Sequence, residues 1–204
     1  MLQLVKIVNY LRNRIAHAYL AIELLVDYYV NVLVYCGGYD CARAVLPVER
    51  RDVIMPEEKR KILGENLMML YTGKQRKSAE IHGRQMKETG SKVELYRQMK
   101  DLAASLSDSL SKGRIEDTGK LLHENWLLKR QLASGISDES IDAMYKSAME
   151  SGATGGKLLG AGGGGFLLFY ADKERHNHIK DALGLRIEPF RFESAGSRIV
   201  HVGE

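Results

Sequence analysis

Apolar residues recur at helical spacing along much of the chain after residue 55. Within residues 93–110 they fall three or four positions apart, which places them on one side of a helix. That side consists of Tyr96, Met99, Ala103, Leu106 and Leu110. Similar patterns predict further helices that begin at Pro56, span 77–88 and 115–132, run from a Ser137 cap as far as Gly152, and span 172–183 before Gly184.

Short continuous apolar runs between these helices predict strands. Residues 67–71 and 166–170 are each typical of a buried strand. Residues 186–192 and 198–202 predict a closing pair of strands. Because strands are mixed with several helices, the sequence predicts an α+β fold. The expected core includes Met68, Met69 and Trp126.

Residues 1–54 differ from the rest of the chain in their pattern of polar and apolar residues. On a helix, three polar residues at every fourth position would form one stripe on an otherwise apolar rod. These residues are Glu23, Asp27 and Asn31. Residues 30–35 are equally typical of a strand, so both interpretations stay open. The most apolar stretch, 20–36, is too short and too polar to indicate a membrane span.

Charge and cysteine content bear on nucleic-acid binding, on metal sites and on the cellular compartment. The net charge is +4, with Lys and Arg dispersed among acidic residues, so nucleic-acid binding is not indicated. The two cysteines, Cys36 and Cys41, lack CxxC spacing, which suits a reducing compartment and predicts no metal site. Since the N-terminus also lacks a signal-peptide pattern, we predict a cytoplasmic protein without a membrane partner.

The strongest chemical signal is a glycine-rich segment at residues 157–170. Its residues Gly160, Gly162 and Gly165 satisfy G-x-G-x-x-G, but a strand-like run follows where a dinucleotide-binding fold needs a helix. A Walker A loop is excluded because no Gly-Lys-Ser/Thr follows, and the other protein-kinase motifs are absent. Two interpretations remain for these glycines. They form either a tight connection packed on another backbone segment or a loop whose N–H groups bind an anion.

This segment resembles the third, carboxy-terminal glycine motif of the GHMP small-molecule kinases, which phosphorylate galactose, homoserine, mevalonate and related substrates. Three further segments are similar to the heptose and fucose kinases of that family. They are Leu70-Tyr71-Thr72-Gly73 with Arg76 and Ser78, Leu121-Leu122-His123-Glu124-Asn125-Trp126 with Lys129 and Arg130, and Phe190-Arg191-Phe192 with Gly196-Ser197-Arg198. The resemblance extends from about Ile62 to the end of the chain.

The resemblance implies an ATP-dependent sugar kinase that uses Mg²⁺ and acts on a sugar such as a heptose 7-phosphate. It implies a GHMP-kinase C-terminal domain over 55–204, with an antiparallel sheet flanked by helices. Arg76 is the expected sugar-phosphate ligand, with a surface ion pair to Glu80 as its alternative role. The backbone expected to approach phosphate or sugar oxygens is that of Gly160, Ala161, Gly162, Gly163 and Gly164. Lys157 is expected to be solvated, and no metal ligand is assigned.

Two motifs of the family are missing from the sequence. The Pro-x-x-x-Gly-Leu-Gly-Ser-Ser type loop that holds the nucleotide phosphates is not found, and residues 36–40 do not match the segment of the catalytic aspartate. No catalytic residue is therefore assigned. We expect residues 1–54 to be an unmatched, poorly defined leader or a remnant of the N-terminal kinase domain.

The missing loop also bears on activity. We expect the isolated chain to be inactive, with a lost upstream segment or a partner chain supplying the nucleotide loop. The alternative function is a non-catalytic α+β module, derived from such a kinase, that binds a ligand or regulates.

Overall fold

The computed structural model describes residues 53–75 and 78–192. The helices of this part are α1 (Glu57–Asn66), α2 (Ser78–Glu88), α3 (Val93–Ser111), α4 (Asp117–Lys129), α5 (Glu139–Glu150) and α6 (His176–Leu183), with single 3₁₀ turns at Thr89–Lys92 and Lys173–Arg175. The strands are β1 (Leu67–Tyr71), β2 (Gly155–Leu158), β3 (Phe166–Tyr170) and β4 (Ile187–Glu188). No helix among these is long and apolar enough to cross a membrane.

The four strands form one antiparallel sheet in the order β2-β3-β1-β4. The two central strands pair along their whole length, with Leu67 opposite Tyr170 and Tyr71 opposite Phe166. Strands β2 and β3 are consecutive in the chain and pair with each other, and the glycine-rich segment connects them. The predicted α+β fold, an antiparallel sheet flanked by helices, is confirmed.

Both faces of the sheet are covered, which explains why the central strands are apolar at every position. Successive side chains of a strand point to opposite faces. Met68 and Leu70 belong to one core cluster, while Leu67 and Met69 belong to the other. The first cluster includes Tyr96, Trp126, Ile141, Tyr145, Phe169 and Ile179, and the second includes Leu63, Leu106, Leu110, Leu122 and Leu168.

The predicted helix at 93–110 is confirmed as Val93–Ser111, and the five apolar residues of its predicted face are all buried. The prediction that Ser137 caps the next-to-last helix is wrong. Asp138 is the N-cap, since its Oδ1 accepts from the Ile141 amide at 2.9 Å. The Ser137 hydroxyl instead donates to Asp142 at 2.6 Å. Two adjacent residues with capping side chains made the choice ambiguous, and only one of them has its oxygen in reach of the first turn.

Three other predicted elements differ in extent. The helix expected at 115–132 is shorter, Asp117–Lys129, and the one expected at 172–183 begins as a 3₁₀ turn. The strand expected at 186–192 is only Ile187–Glu188, because β4 pairs with β1 at just two positions. Its predicted partner at 198–202 and the leader at 1–52 lie outside the described residues.

Candidate functional site

The glycine loop, residues 159–165, connects β2 to β3 and lies against two other backbone segments. The amide of Gly163 donates to the carbonyl of Ile136 at 2.9 Å, and that of Gly165 donates to the carbonyl of Lys74 at 3.0 Å. The Gly165 carbonyl accepts from both the amide and the hydroxyl of Thr72, each at 2.9 Å. This geometry corresponds to the packed-connection interpretation for Gly163 and Gly165, whose amides are already occupied.

Two positions show why the loop requires glycine. Gly162 has φ +115°, and a Cβ built on it would lie 2.6 Å from Cα of Ile136. Gly164 has φ +144°, and its Cβ would lie 2.8 Å from the Lys74 carbonyl oxygen. In both cases the obstacle is backbone that cannot rotate away, so a side chain would separate the loop from its supports.

An open cleft of about 520 Å³ lies beside the loop. It is lined by Lys74, Gln75, Glu80, Ile81, Arg84, Gly135, Ser137, Asp138 and Gly163. Three elements therefore meet here, namely the segment after β1, helix α2 and the start of α5. A cleft of this size and polarity fits a small polar ligand.

The predicted site residues differ in whether they line this cleft. Gly163 lines it, whereas Ala161 is buried and the Gly160 carbonyl accepts a hydrogen bond from Lys129. Arg76 lies outside the described residues, although Gln75, its neighbour in the chain, lines the cleft. The roles assigned to Arg76 and to the five loop residues Gly160, Ala161, Gly162, Gly163 and Gly164 stay predictions.

An ion pair ties two walls of the cleft together. Lys74 Nζ lies 2.6 Å from Asp138 Oδ2, and the other oxygen of that carboxylate caps α5. The hydrogen bond from Lys74, followed by that from the Ile141 amide, holds the pKa of Asp138 below its ordinary value. The start of α5 is thereby fixed against the segment that also supports the glycine loop.

Replacing Asp138 by alanine should lower the free energy of unfolding by about 1 kcal/mol near pH 7, because a cap and a partly exposed ion pair are lost. Since the folded-state pKa is lowered, the carboxylate stabilises the fold above its unfolded pKa of about 3.9 and loses that effect as pH falls through the folded value. The difference between the two proteins should therefore shrink in acid. Urea unfolding at pH 7 and at about pH 3 measures it. An alanine penalty of the same size at both pH values would contradict the assignment.

Two lysines are buried under the loop. Lys129, at the end of α4, donates to the carbonyl of Leu158 at 2.8 Å and to that of Gly160 at 2.6 Å. Lys157 is 1% exposed and donates to Asn125 Oδ1 at 2.7 Å, so the expectation that it is solvated is wrong. Its strand lies directly beneath α4, which covers the side chain. Lys129 occurs in the segment that resembles the heptose kinases, but that resemblance suggested no role for it.

Arg84 is a second residue that the sequence did not single out. It lies on the same side of α2 as Ile81, three positions earlier, and both line the cleft. From its spacing in the sequence alone, Arg84 would be taken for an ordinary arginine on the exposed side of a helix. The described residues contain no group of three or more His, Cys, Asp or Glu side chains that could hold a metal ion.

Comparison with known proteins connects this fold to one family. Residues 93–186 match the family model for the GHMP kinases C terminal. The chain is 24% identical over 134 residues to the D-glycero-alpha-D-manno-heptose 7-phosphate kinase of Campylobacter jejuni, which covers 63% of this chain and 40% of that protein. It is 40% identical over 77 residues to the galactokinase of Pyrococcus furiosus, which covers 37% of this chain and 21% of that protein.

A solved structure has a similar fold. The mevalonate kinase of Methanococcus jannaschii superposes with a TM-score of 0.53 at 24% identity, over 69% of this chain and 43% of that one. This likeness concerns the fold. The chain spans less than half the length of each of these relatives. The family model extends from the start of α3 to just beyond the end of α6, so this part of the chain matches the C-terminal domain of the GHMP kinases.

Proposed function

We propose that this chain forms the sugar-binding side of an ATP-dependent sugar kinase whose substrate is a phosphorylated sugar of the heptose 7-phosphate class. The observation that carries the proposal is the glycine loop, which is held against the segment after β1 and contributes Gly163 to the cleft. The similarity to a heptose 7-phosphate kinase supports the substrate class.

The residues of the cleft suit binding and orientation. Phosphoryl transfer depends mainly on positioning and on charge stabilisation, so a rigid wall of backbone beside the substrate contributes to catalysis without any reacting group. The loop is rigid because the amides of Gly163 and Gly165 and the carbonyls of Gly160 and Gly165 are hydrogen-bonded to other segments of the fold. Arg76, next to Gln75 in the chain, is proposed to bind the sugar phosphate through its planar guanidinium.

The described residues do not fit two other parts of the reaction. They contain no cluster of carboxylates for Mg²⁺, and the sequence has no nucleotide-phosphate loop of the family type. We therefore propose that ATP and its metal ion are held mainly by groups outside the described residues 53–75 and 78–192. The missing loop is also the observation that favours the second candidate function, a non-catalytic module that binds the same class of ligand.

Arg76→Ala should weaken binding of heptose 7-phosphate to the purified chain about tenfold, because one charge-assisted contact to phosphate is lost. Isothermal titration of the chain with heptose 7-phosphate and with the unphosphorylated heptose measures the contribution of the phosphate. Arg97→Ala is the matched control, since Arg97 is an exposed arginine paired with Glu94 on α3. Equal affinity for the two sugars, or for the wild-type and Arg76→Ala chains, would contradict the proposed role.

ATP-dependent phosphorylation of the same sugar separates the two candidate functions. The kinase proposal predicts no turnover by the purified chain alone and turnover when a nucleotide-binding GHMP N-terminal domain is supplied. Turnover by the chain alone would show that these residues hold ATP themselves and would overturn that part of the proposal. Sugar-phosphate binding without turnover, even with the added domain, would favour the non-catalytic module.

A further inference from the structure

Arg84 is a half-buried cation without a protein partner in the described part of the chain. Its Nε atom is buried and donates to none of the described groups, and the guanidinium forms no ion pair with a described acid. Its Nη2 lies against Gly135, where a Cβ would come within 2.8 Å of that nitrogen. Removing a charged group from water without compensation is costly, so such an arginine is suited to an anion that completes its hydrogen bonds.

Among the described residues that line the cleft, the other charged groups leave Arg84 as the available cation. Lys74 and Asp138 form their own ion pair at 2.6 Å and neutralise each other. Glu80 has a contact of its own and is not an ion-pair partner of Arg84. The Ser137 hydroxyl donates to Asp142, and the Gly163 amide donates to Ile136, so neither donor is free for a ligand.

We propose that Arg84 binds a phosphate monoester in this cleft, and that this phosphate belongs to the sugar. The guanidinium presents parallel N–H donors that match two phosphate oxygens, which a lysine cannot reproduce. Gln75, which also lines the cleft, carries an amide that can donate to a third oxygen. The sugar as the source of the phosphate rests on the proposed function, whereas the phosphate site itself rests on Arg84 and its surroundings.

The test uses the whole chain with inorganic phosphate, heptose 7-phosphate and ATP as separate probes. For Arg84→Gln, the affinities for inorganic phosphate and for heptose 7-phosphate should each fall about tenfold, while the affinity for ATP stays unchanged. Arg84→Lys should recover only part of the loss, because the charge remains and the paired donors do not. Chemical shifts of the Gly135 and Gly163 amides should respond to phosphate in the wild type and not in Arg84→Gln.

A structural role gives a different result. Since the guanidinium has no partner among the described residues and its burial is costly, Arg84→Gln should unfold at a urea midpoint equal to or above that of the wild type, and a clearly lower midpoint would indicate a structural role. Inorganic phosphate that does not bind, or binds Arg84→Gln as tightly as the wild type, would overturn the site. If ATP instead of the sugar phosphate loses affinity, the phosphate site stands and its assignment to the sugar fails. Arg97→Gln controls for the loss of one positive charge elsewhere on the surface.

Discussion

Gly155→Ala should destabilise the fold by about 3 kcal/mol or more, a large part of the stability of a typical domain. A Cβ at this position would lie 1.8 Å from the carbonyl oxygen of Gly119 and 3.1 Å from Cβ of His123. The first obstacle is backbone in the first turn of α4, so neither a side-chain rotation nor a small shift relieves it. The approach is equally close on the helix side, because a Cβ on Gly119 would lie 2.0 Å from the hydroxyl oxygen of Thr154, the residue before Gly155.

The effect on α4 is what makes this substitution severe. The helix lies over β2, and only the absence of side chains at Gly119 and Gly155 allows helix and strand to approach so closely. Separating the two elements would open the cluster around Trp126 and remove the support of the glycine loop. Packing of this density does not absorb an added methyl group without strain elsewhere.

Gly83→Ala is the matched control, since it makes the same chemical change inside α2 with nothing within 4 Å of the new Cβ. It should stabilise the protein by about 0.5–1 kcal/mol through helix propensity. Urea unfolding of the three proteins, with the slope compared as well as the midpoint, measures both effects. A Gly155→Ala protein within about 1 kcal/mol of the wild type would show that helix and strand are not packed as described.

The regular elements could be predicted because their signals are local. Continuous apolar runs at 67–71 and 166–170 are needed by strands buried on both faces, and the periodicity of 93–110 follows from one buried helix side. The choice between Ser137 and Asp138 as a cap was not decided by sequence, because both residues carry capping side chains and only the folded chain determines which oxygen reaches the first turn. The extent of β4 likewise depends on its pairing with the distant strand β1, which covers two positions.

The site was predictable only in part, and for the same reason. Glycine content singled out the loop, but the carbonyls that it packs on, those of Lys74 and Ile136, come from distant parts of the chain. Lys157 appeared to be solvated because nothing in its neighbours along the sequence indicates that α4 covers it. Arg84 carries no local signal either, since its significance lies in the absence of a described partner around its guanidinium.

Lys129→Met should lower the free energy of unfolding by about 2 kcal/mol and displace the start of the glycine loop. The lysine is 2% exposed and holds the carbonyls of Leu158 and Gly160 together. Methionine preserves most of the length and apolar volume of the side chain but leaves both carbonyls without this donor, at a cost of about 1–3 kcal/mol for each buried group. Relief of the buried charge offsets part of that cost, which is why the expected net effect is smaller than the sum.

Lys120→Met provides the comparison on the same helix. Its side chain is 80% exposed and its nearest carboxylate oxygen, from Glu124, is 3.9 Å away, so its loss should cost less than about 0.5 kcal/mol. Amide chemical shifts of Gly160 to Gly165 should move in Lys129→Met and not in Lys120→Met. If Lys129 only filled space, methionine would replace it with little loss of stability and no change in those shifts. If instead it sets the position of the loop, the shifts should change even under conditions where the variant is fully folded, because the strand end and the first glycine are no longer tied to α4.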